Sequence, residues 1–208
     1  MKELDRIRET RLREVSEGIF SLDGVTNNRG QLVVAVHPYF ACEYYINEEI
    51  GFPLDYPAQF DRLVQKHDGI LITLEGSDTF DKTVSKYRRL GRLEGRYIIP
   101  TDVHDPIPLV KWDPFIEFIK NIKREKPVAL AGGYLYSSQT ACPGCLGRTA
   151  YMFRENGIDF DFLFDLIYPN YNSEEARHLI RKLFREGLSE RQIVEYYHKM
   201  KTENGRKS

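Results

Sequence analysis

The sequence predicts a three-layer α/β fold built on a doubly wound, mostly parallel sheet of about five strands. Short apolar runs bounded by glycine or proline recur between residues 31 and 170, and amphipathic stretches separate them. Strands that alternate with helices pair in parallel through right-handed crossovers. No internal repeat or low-complexity linker divides the chain of 208 residues. We therefore expect a single α/β domain with a sheet core over 31–170, a helical extension over 1–30 and a helical hairpin over 171–208.

The five predicted strands are runs of β-branched, aliphatic and aromatic residues. The first, in QLVVAVHPYF, is β-branched up to the proline that ends it, and the next three are each flanked by glycine or proline. The last, in DFLFDLIYP, alternates poorly, so a short helix remains an alternative to a strand there. The predicted strands span residues 32–37, 69–76, 95–102, 126–133 and 161–169.

Capping residues mark the ends of the predicted helices. Ser77 or Asp78 suits the cap of the second helix, and Gly157 suits the end of the fourth. Pro143 suits a first helical position, which makes Cys142 the expected cap of that fourth helix. The predicted helices span residues 56–67, 77–90, 112–125, 143–156, 173–186 and 189–200.

Charge and cysteine content argue against several classes of partner and location. The 30 Lys and Arg residues against 31 Asp and Glu give a formal charge of −1, so nucleic acid and anionic membranes are not expected as main partners. The sequence has no run of about 18 apolar residues that could span a bilayer. Three cysteines are too few for a secreted disulfide framework. We therefore expect a cytoplasmic protein.

Chemically reactive side chains follow the first four predicted strands. In open parallel sheets, ligands bind beyond the carboxyl ends of the strands, at the switch in strand order. All three cysteines and two of the five histidines fall at this edge, which predicts a ligand-binding or active site there. The candidate residues are His37, Cys42, Glu43, Glu75, Ser77, Asp78, Asp102, His104, Asp105, Tyr134, Tyr136, Ser137, Ser138, Cys142 and Cys145.

The segment SSQTACPGCLGRTAYMF indicates thiol chemistry. Unpaired amides and the macrodipole at a helix start favour a thiolate, so Cys142 or Cys145 is the candidate nucleophile. His37 or His104 is the candidate base, with Asp102 as its orienting acid. We expect the reacting thiol to lie within about 8 Å of one of these three side chains.

Part of this segment, CLGRTAYMFRENG followed by a later aspartate, resembles the nucleophile segment of the isochorismatase-like cysteine hydrolases. The matching residues are Cys145, Thr149, Ala150, Gly157 and Asp165. The resemblance covers residues 145–165 and implies that Cys145 is a nucleophile in a hydrolase. The chain departs from that family at the end of the first strand, where His37 stands in place of an aspartate.

The overlapping run CPGCLGRT has the Cys-x5-Arg-Thr spacing and resembles the phosphate-binding loop of tyrosine phosphatases. The resemblance implies that Cys142 attacks phosphorus while Arg148 and the loop amides hold the oxygens. Asp102 or Asp105 would then donate the proton. In those phosphatases the loop follows its strand directly, whereas YLYSSQTA intervenes here.

Three other roles for the cysteines stay open. Cys142 and Cys145 are half of a metal site, which Cys42 and a histidine would complete as a four-ligand set. Cys-Pro-Gly-Cys at a helix start also has the pattern of a dithiol redox pair. Alternatively the cysteines are structural, as a disulfide or as core packing. The sequence identifies no cofactor.

The loop after the fourth predicted strand and the aromatic segment after the first are candidate ligand-binding walls. In GGYLYSSQT, the glycines allow close backbone approach, and Tyr134, Ser137 and Ser138 supply hydroxyls. Cys42 lies among aromatic residues in HPYFACEYY. Arg148 would bind an anionic ligand nearby.

These observations predict a domain that binds a small molecule, with anions favoured, at the carboxyl edge of the sheet. The catalytic form of this prediction is a thiol-dependent hydrolase that uses Cys142 or Cys145. The alternative is a non-catalytic binding or assembly protein in which the cysteines are structural and the terminal helices form a homo-oligomer interface.

Overall fold

A computed structural model describes twelve stretches of the chain. They are residues 30–39, 55–91, 95–102, 105–108, 112–122, 125–133, 135–137, 142–168, 173–185, 187, 191–192 and 195. The predicted extension over 1–30 lies almost entirely outside the described residues, as does most of the predicted last helix.

The fold is a three-layer α/β arrangement around a parallel sheet of five strands, as the sequence predicts. The five strands lie in the order β3-β2-β1-β5-β8, and every neighbouring pair among them is parallel. A short strand, β4, adds to β3 in antiparallel fashion, and β6 and β7 form a separate two-stranded hairpin. The strands are β1 (Val33–Val36), β2 (Leu71–Gly76), β3 (Arg96–Asp102), β4 (Asp105–Pro108), β5 (Val128–Gly133), β6 (Tyr136–Ser137), β7 (Cys142–Pro143) and β8 (Phe160–Tyr168).

Helices cover both faces of the sheet. Successive residues along each strand point to opposite faces, and each face packs against its own apolar layer. One layer packs Val33 and Ala35 of β1 against buried aromatic residues of the first two helices, and the other packs Val34 and Val36 against the last three. The helices are α1 (Tyr56–Lys66), α2 (Phe80–Leu90), α3 (Trp112–Asn121), α4 (Cys145–Glu155) and α5 (Glu174–Arg185).

The chain switches direction across the sheet at β1, which lies between β2 and β5. The units that carry α1 and α2 extend the sheet through β2 and β3, whereas the later units extend it through β5 and β8. Such a switch point is where open α/β sheets form a crevice beyond the carboxyl ends of their strands. The carboxyl end of β1 is therefore the reference point for a functional site.

Close packing between β1 and β5 depends on glycine. Gly132 pairs with Val36 and has a φ of 96°, a backbone conformation that L side chains rarely adopt. A Cβ atom on Gly132 would overlap the carbonyl oxygen of Val36, and one on Gly133 would overlap the ring of Tyr168. The paired glycines thus let the two halves of the sheet meet at the switch point.

Three local predictions were wrong. Cys142 does not cap α4, because Cys142 and Pro143 form β7 and the helix begins at Cys145 with Gly144 as its cap. The second helix is capped at Thr79 rather than at Ser77 or Asp78.

The third difference follows the third strand: the sequence indicates a loop between the strand predicted over 95–102 and the helix predicted over 112–125, whereas Asp105–Pro108 form β4. For residues 161–169 the sequence leaves a strand and a short helix as alternatives. The structure has a strand there, because Phe160–Tyr168 pairs in parallel with β5.

Replacement of Gly132 by alanine should destabilise the protein by roughly 3 kcal/mol or more, because positive φ and overlap with Val36 act together. The matched control is Gly157→Ala, which has a φ of 68° but open space around the added Cβ. That control should cost only about 1–2 kcal/mol. Equilibrium chemical denaturation measures both, and equal losses would contradict the close approach of β1 and β5.

Candidate functional site

A fully buried carboxylate lies near the carboxyl end of β2. Glu75 has no exposed surface, although it is the penultimate residue of the strand. Its side chain points to the face of the sheet that α2 covers, as does Thr73, whose hydroxyl bonds the hydroxyl of Tyr87 in α2. Buried carboxylates are stable only when hydrogen-bond donors satisfy them.

Two threonines one helical turn apart supply those donors to Glu75. The hydroxyl of Thr79 donates to Oε1 at 2.8 Å, and the hydroxyl of Thr83 donates to Oε2 at 2.8 Å. The backbone amide of Gly76 donates to Oε1 at 3.3 Å. Thr79 occupies the cap position of α2, yet its hydroxyl makes no capping bond to the helix amides. Its hydroxyl instead donates to Glu75 and to the carbonyl of Gly76.

Burial raises the pKa of Glu75 from 4.5 to about 7. Removal of the carboxylate from water is the largest cause, and the negative charge of Asp78 adds to it. The hydrogen bonds from Thr79, Thr83 and Gly76 act in the opposite direction, because they stabilise the ionised form. Glu75 therefore changes its protonation state near neutral pH, which marks it as a functional candidate.

A cavity of about 170 Å³ lies on the other side of the two threonines. Its lining comes from the segment after β1, the first turn of α1 and one face of α2. It therefore lies beside the carboxyl ends of β1 and β2. The described lining residues are Tyr39, Pro57, Thr79, Lys82, Thr83, Lys86 and Arg89.

The cavity is cationic. Lys82, Lys86 and Arg89 recur at helical spacing along one face of α2, and no acidic residue is among the described lining residues. Lys82 and Arg89 are exposed, whereas Lys86 is half-buried. The start of α2 adds the positive end of the helix macrodipole near the same place.

Asp61 of α1 fixes one wall of the cavity. Its Oδ1 accepts a hydrogen bond from the hydroxyl of Tyr39 at 2.7 Å. The same oxygen forms an ion pair with Nζ of Lys86 at 3.0 Å. The ammonium group of Lys86 also lies 4.2 Å from the centre of the Tyr39 ring, within the range of a cation–π contact. Burial raises the pKa of Tyr39, so this wall presents a neutral phenol.

His37 lies at the carboxyl end of β1, at the edge where the sequence places it. Its φ is 44°, and its side chain is 2% exposed, with Nε2 2.7 Å from the hydroxyl of Thr101. Its amide donates to the carbonyl of Leu74, and its carbonyl accepts from the hydroxyl of Tyr168. His37 therefore connects the end of β1 to β2, β3 and β8.

The predicted thiol segment lies around the start of α4. Cys145 is the first residue of that helix, is half-buried, and packs against the apolar layer on the face opposite α1 and α2. Cys142 in β7 pairs with Ser137 in β6, so the structure brings these two predicted residues together through their backbones. Arg148 is exposed on α4.

The remaining predicted residues are described only in part. Asp102 ends β3, where its backbone pairs with Asp105, but the side chains of these two residues, like those of Ser137 and Cys142, are outside the described atoms. The closeness of a thiol to His37, His104 or Asp102 stays a prediction. The predicted residues that lie outside the described part of the chain are Cys42, His104, Tyr134 and Ser138.

Sequence reasoning missed the residues that line the cavity. By its sequence alone, the basic run KYRRLGR over residues 86–92 is typical of a solvated helix face. The available signal was the spacing of Lys82, Lys86 and Arg89 directly after a strand end, together with Thr79 and Thr83 four residues apart. Neither the spacing of the cations nor that of the threonines indicates that this helix face borders a cavity.

No protein-family model, curated protein or solved structure matches the chain. Among the helices that the structure describes, none has the length and apolar character needed to cross a bilayer. Within the same described residues, no three His, Cys, Asp or Glu side chains converge as a metal site would require.

Replacement of Glu75 by glutamine should change how stability depends on pH. Between about pH 4.5 and 7, folded Glu75 keeps a proton that the unfolded chain has lost, so the free energy of unfolding falls as pH rises through this window. The total fall should be about 3 kcal/mol, and Glu75→Gln should remove it. Denaturant titrations from pH 4 to 8.5 measure this effect, with the exposed Glu117→Gln as control. Parallel curves for wild type and Glu75→Gln would contradict a proton held by Glu75.

Proposed function

We propose that the protein binds a small molecule through an anionic group, of the phosphate or carboxylate type, in the cavity beside α2. The observation that carries this proposal is the cationic lining supplied by Lys82, Lys86 and Arg89. Cationic side chains around a concave site raise the local concentration of anions and hold them once bound.

The size of the cavity favours an anionic group over a whole cofactor. A volume of about 170 Å³ equals that of roughly six water molecules at their share of liquid volume. Sites for complete drug-sized ligands usually enclose about 300–1,000 Å³. The anionic head group would therefore occupy the cavity, and the rest of the molecule would extend outward.

The cations differ in what they offer such a ligand. The guanidinium of Arg89 can bind two oxygens of a phosphate or carboxylate at once, whereas Lys82 acts as a point charge. Lys86 is oriented by Asp61 and Tyr39, so it contributes a fixed positive charge to the wall. The first turn of α2, between Thr79 and Thr83, favours negative charge through the helix macrodipole.

Thiol-dependent hydrolysis at the start of α4 stays a second proposal. Its support is the position of Cys145 as the first residue of a helix, where the macrodipole stabilises a thiolate. Cys145 packs on the opposite face of the sheet from the cavity, so a reaction there would use a separate site. A homo-oligomer through the terminal helices is likewise a proposal, which sizing chromatography tests.

Binding of inorganic sulfate should weaken about fivefold in Arg89→Ala and in Lys82→Ala, because each variant removes a charge that contacts the anion, worth ~1 kcal/mol. The matched control is Arg88→Ala, which removes an equally exposed neighbouring charge that does not line the cavity. Amide chemical-shift titrations give the dissociation constants. Equal weakening by Arg88→Ala and Arg89→Ala, or a lack of saturable binding, would contradict the site.

Alkylation by iodoacetamide should show whether the start of α4 activates a thiol. Under the hydrolase proposal, Cys142 or Cys145 reacts with a pH midpoint well below the ordinary value of about 8.5. Peptide mapping of the same reduced sample gives the rate of Cys42 as an internal control. If both Cys142 and Cys145 follow the ordinary midpoint, the hydrolase proposal is wrong and the anion-binding proposal is unaffected.

A further inference from the structure

Thr79 and Thr83 each have two neighbours, which are the carboxylate of Glu75 on one side and the cavity on the other. Both hydroxyls donate to Glu75 at 2.8 Å, and both residues line the cavity. The same two residues therefore contact both the carboxylate and the cavity. No other described lining residue donates a hydrogen bond to Glu75.

The direction of these hydrogen bonds depends on the charge of Glu75. An ionised carboxylate only accepts hydrogen bonds, so Thr79 and Thr83 must both turn their single hydroxyl hydrogen toward it. A hydroxyl hydrogen that Glu75 holds in this way cannot be donated to a ligand in the cavity. A protonated carboxyl can donate its own hydrogen to one threonine, whose hydroxyl hydrogen is then released for donation to the carbonyl of Gly76 or to a ligand.

We propose that Glu75 couples anion binding in the cavity to the uptake of one proton, by controlling through Thr79 and Thr83 which hydroxyl hydrogens face the ligand. This inference rests on the anion-binding function proposed above. In the coupled step, the anion enters the cavity and a proton from solvent binds the Glu75 carboxylate. No covalent bond other than that O–H bond forms or breaks.

The charge of Glu75 affects anion binding in the same direction as the hydrogen bonds of Thr79 and Thr83, since ionised Glu75 weakens binding in both ways. Ionised Glu75 places a buried negative charge directly behind the wall of the cavity, where little water screens it. Proton uptake removes that charge and so makes the electrostatic potential in the cavity more positive. Burial raises the pKa of Glu75 to about 7, so both protonation states are accessible near neutral pH.

The other titratable groups around Glu75 come from three elements. Asp78, before α2, adds a negative charge that raises the pKa of Glu75, and Tyr87 of α2 has a pKa raised by burial, so it stays neutral. Asp61 of α1 pairs with Lys86. His37 follows β1 and directs its imidazole to Thr101 of β3, and histidine is a residue type that titrates near neutrality.

The test is the pH dependence of sulfate binding between pH 5.5 and 8.5. Sulfate is the probe because, unlike phosphate, it keeps its charge across this range, as do lysine and arginine. The affinity should fall about tenfold from pH 6 to pH 8 in the wild type, which is the change that linked uptake of one proton produces across the transition. Glu75→Gln should bind sulfate with a nearly constant affinity close to the low-pH value of the wild type.

A second measurement needs no variant and keeps the test decisive if Glu75→Gln does not fold. Addition of sulfate to unbuffered wild-type protein at pH 7.5 should raise the pH, since binding consumes protons, and a pH-stat measures how many. Sodium chloride at equal ionic strength is the control. Proton uptake on addition of sulfate alone supports the coupling.

The outcomes separate this inference from the proposed function. If sulfate fails to bind at every pH, the proposed function fails and the coupling fails with it. If sulfate binds in a manner that depends on Arg89 but neither the affinity nor the solution pH changes, only the coupling is wrong. If Glu75→Gln keeps the pH dependence of the wild type, another group such as His37 is responsible and the role of Glu75 is overturned.

Discussion

The paired hydrogen bonds from Thr79 and Thr83 to the buried carboxylate of Glu75 are the constraint on which the site depends. A carboxylate at this depth is stable only if donors reach both oxygens, and α2 supplies one donor from its cap and one from the next turn. The two bonds fix the start of α2 over the end of β2. The direction in which Lys82 and Arg89 project follows from that position.

The sheet supplies the platform for this arrangement. Gly132 allows β5 to approach β1 closely, and the backbone and imidazole of His37 connect the end of β1 to β2, β3 and β8. The positive φ of His37 turns the chain toward Tyr39, which becomes a wall of the cavity. A strained backbone at a strand end is typical of sites where the surrounding structure holds a residue for function. The cavity thus lies near the switch point, on the side covered by α1 and α2.

Sequence periodicity was enough to predict the five parallel strands and the helices between them, because buried strands and amphipathic helices leave local patterns. It failed where pairing partners decide the structure. Pro106 and Pro108 argue against a strand, yet an antiparallel edge strand such as β4 tolerates prolines. The role of Glu75 could not be predicted either, since a carboxylate after a strand is usually solvated. Only the packed structure places Thr79 and Thr83 between that carboxylate and a cationic cavity.

The account depends most directly on the protonation of Glu75 in the folded protein without ligand. Carbon-13 NMR of the side-chain carboxyl carbon follows that protonation at a single residue, with the exposed Glu117 as reference in the same spectrum. The account predicts that Glu75 titrates with a pKa of about 7, because burial outweighs its three hydrogen bonds. A carboxyl that loses its proton near the ordinary glutamate value of about 4.3 would contradict it.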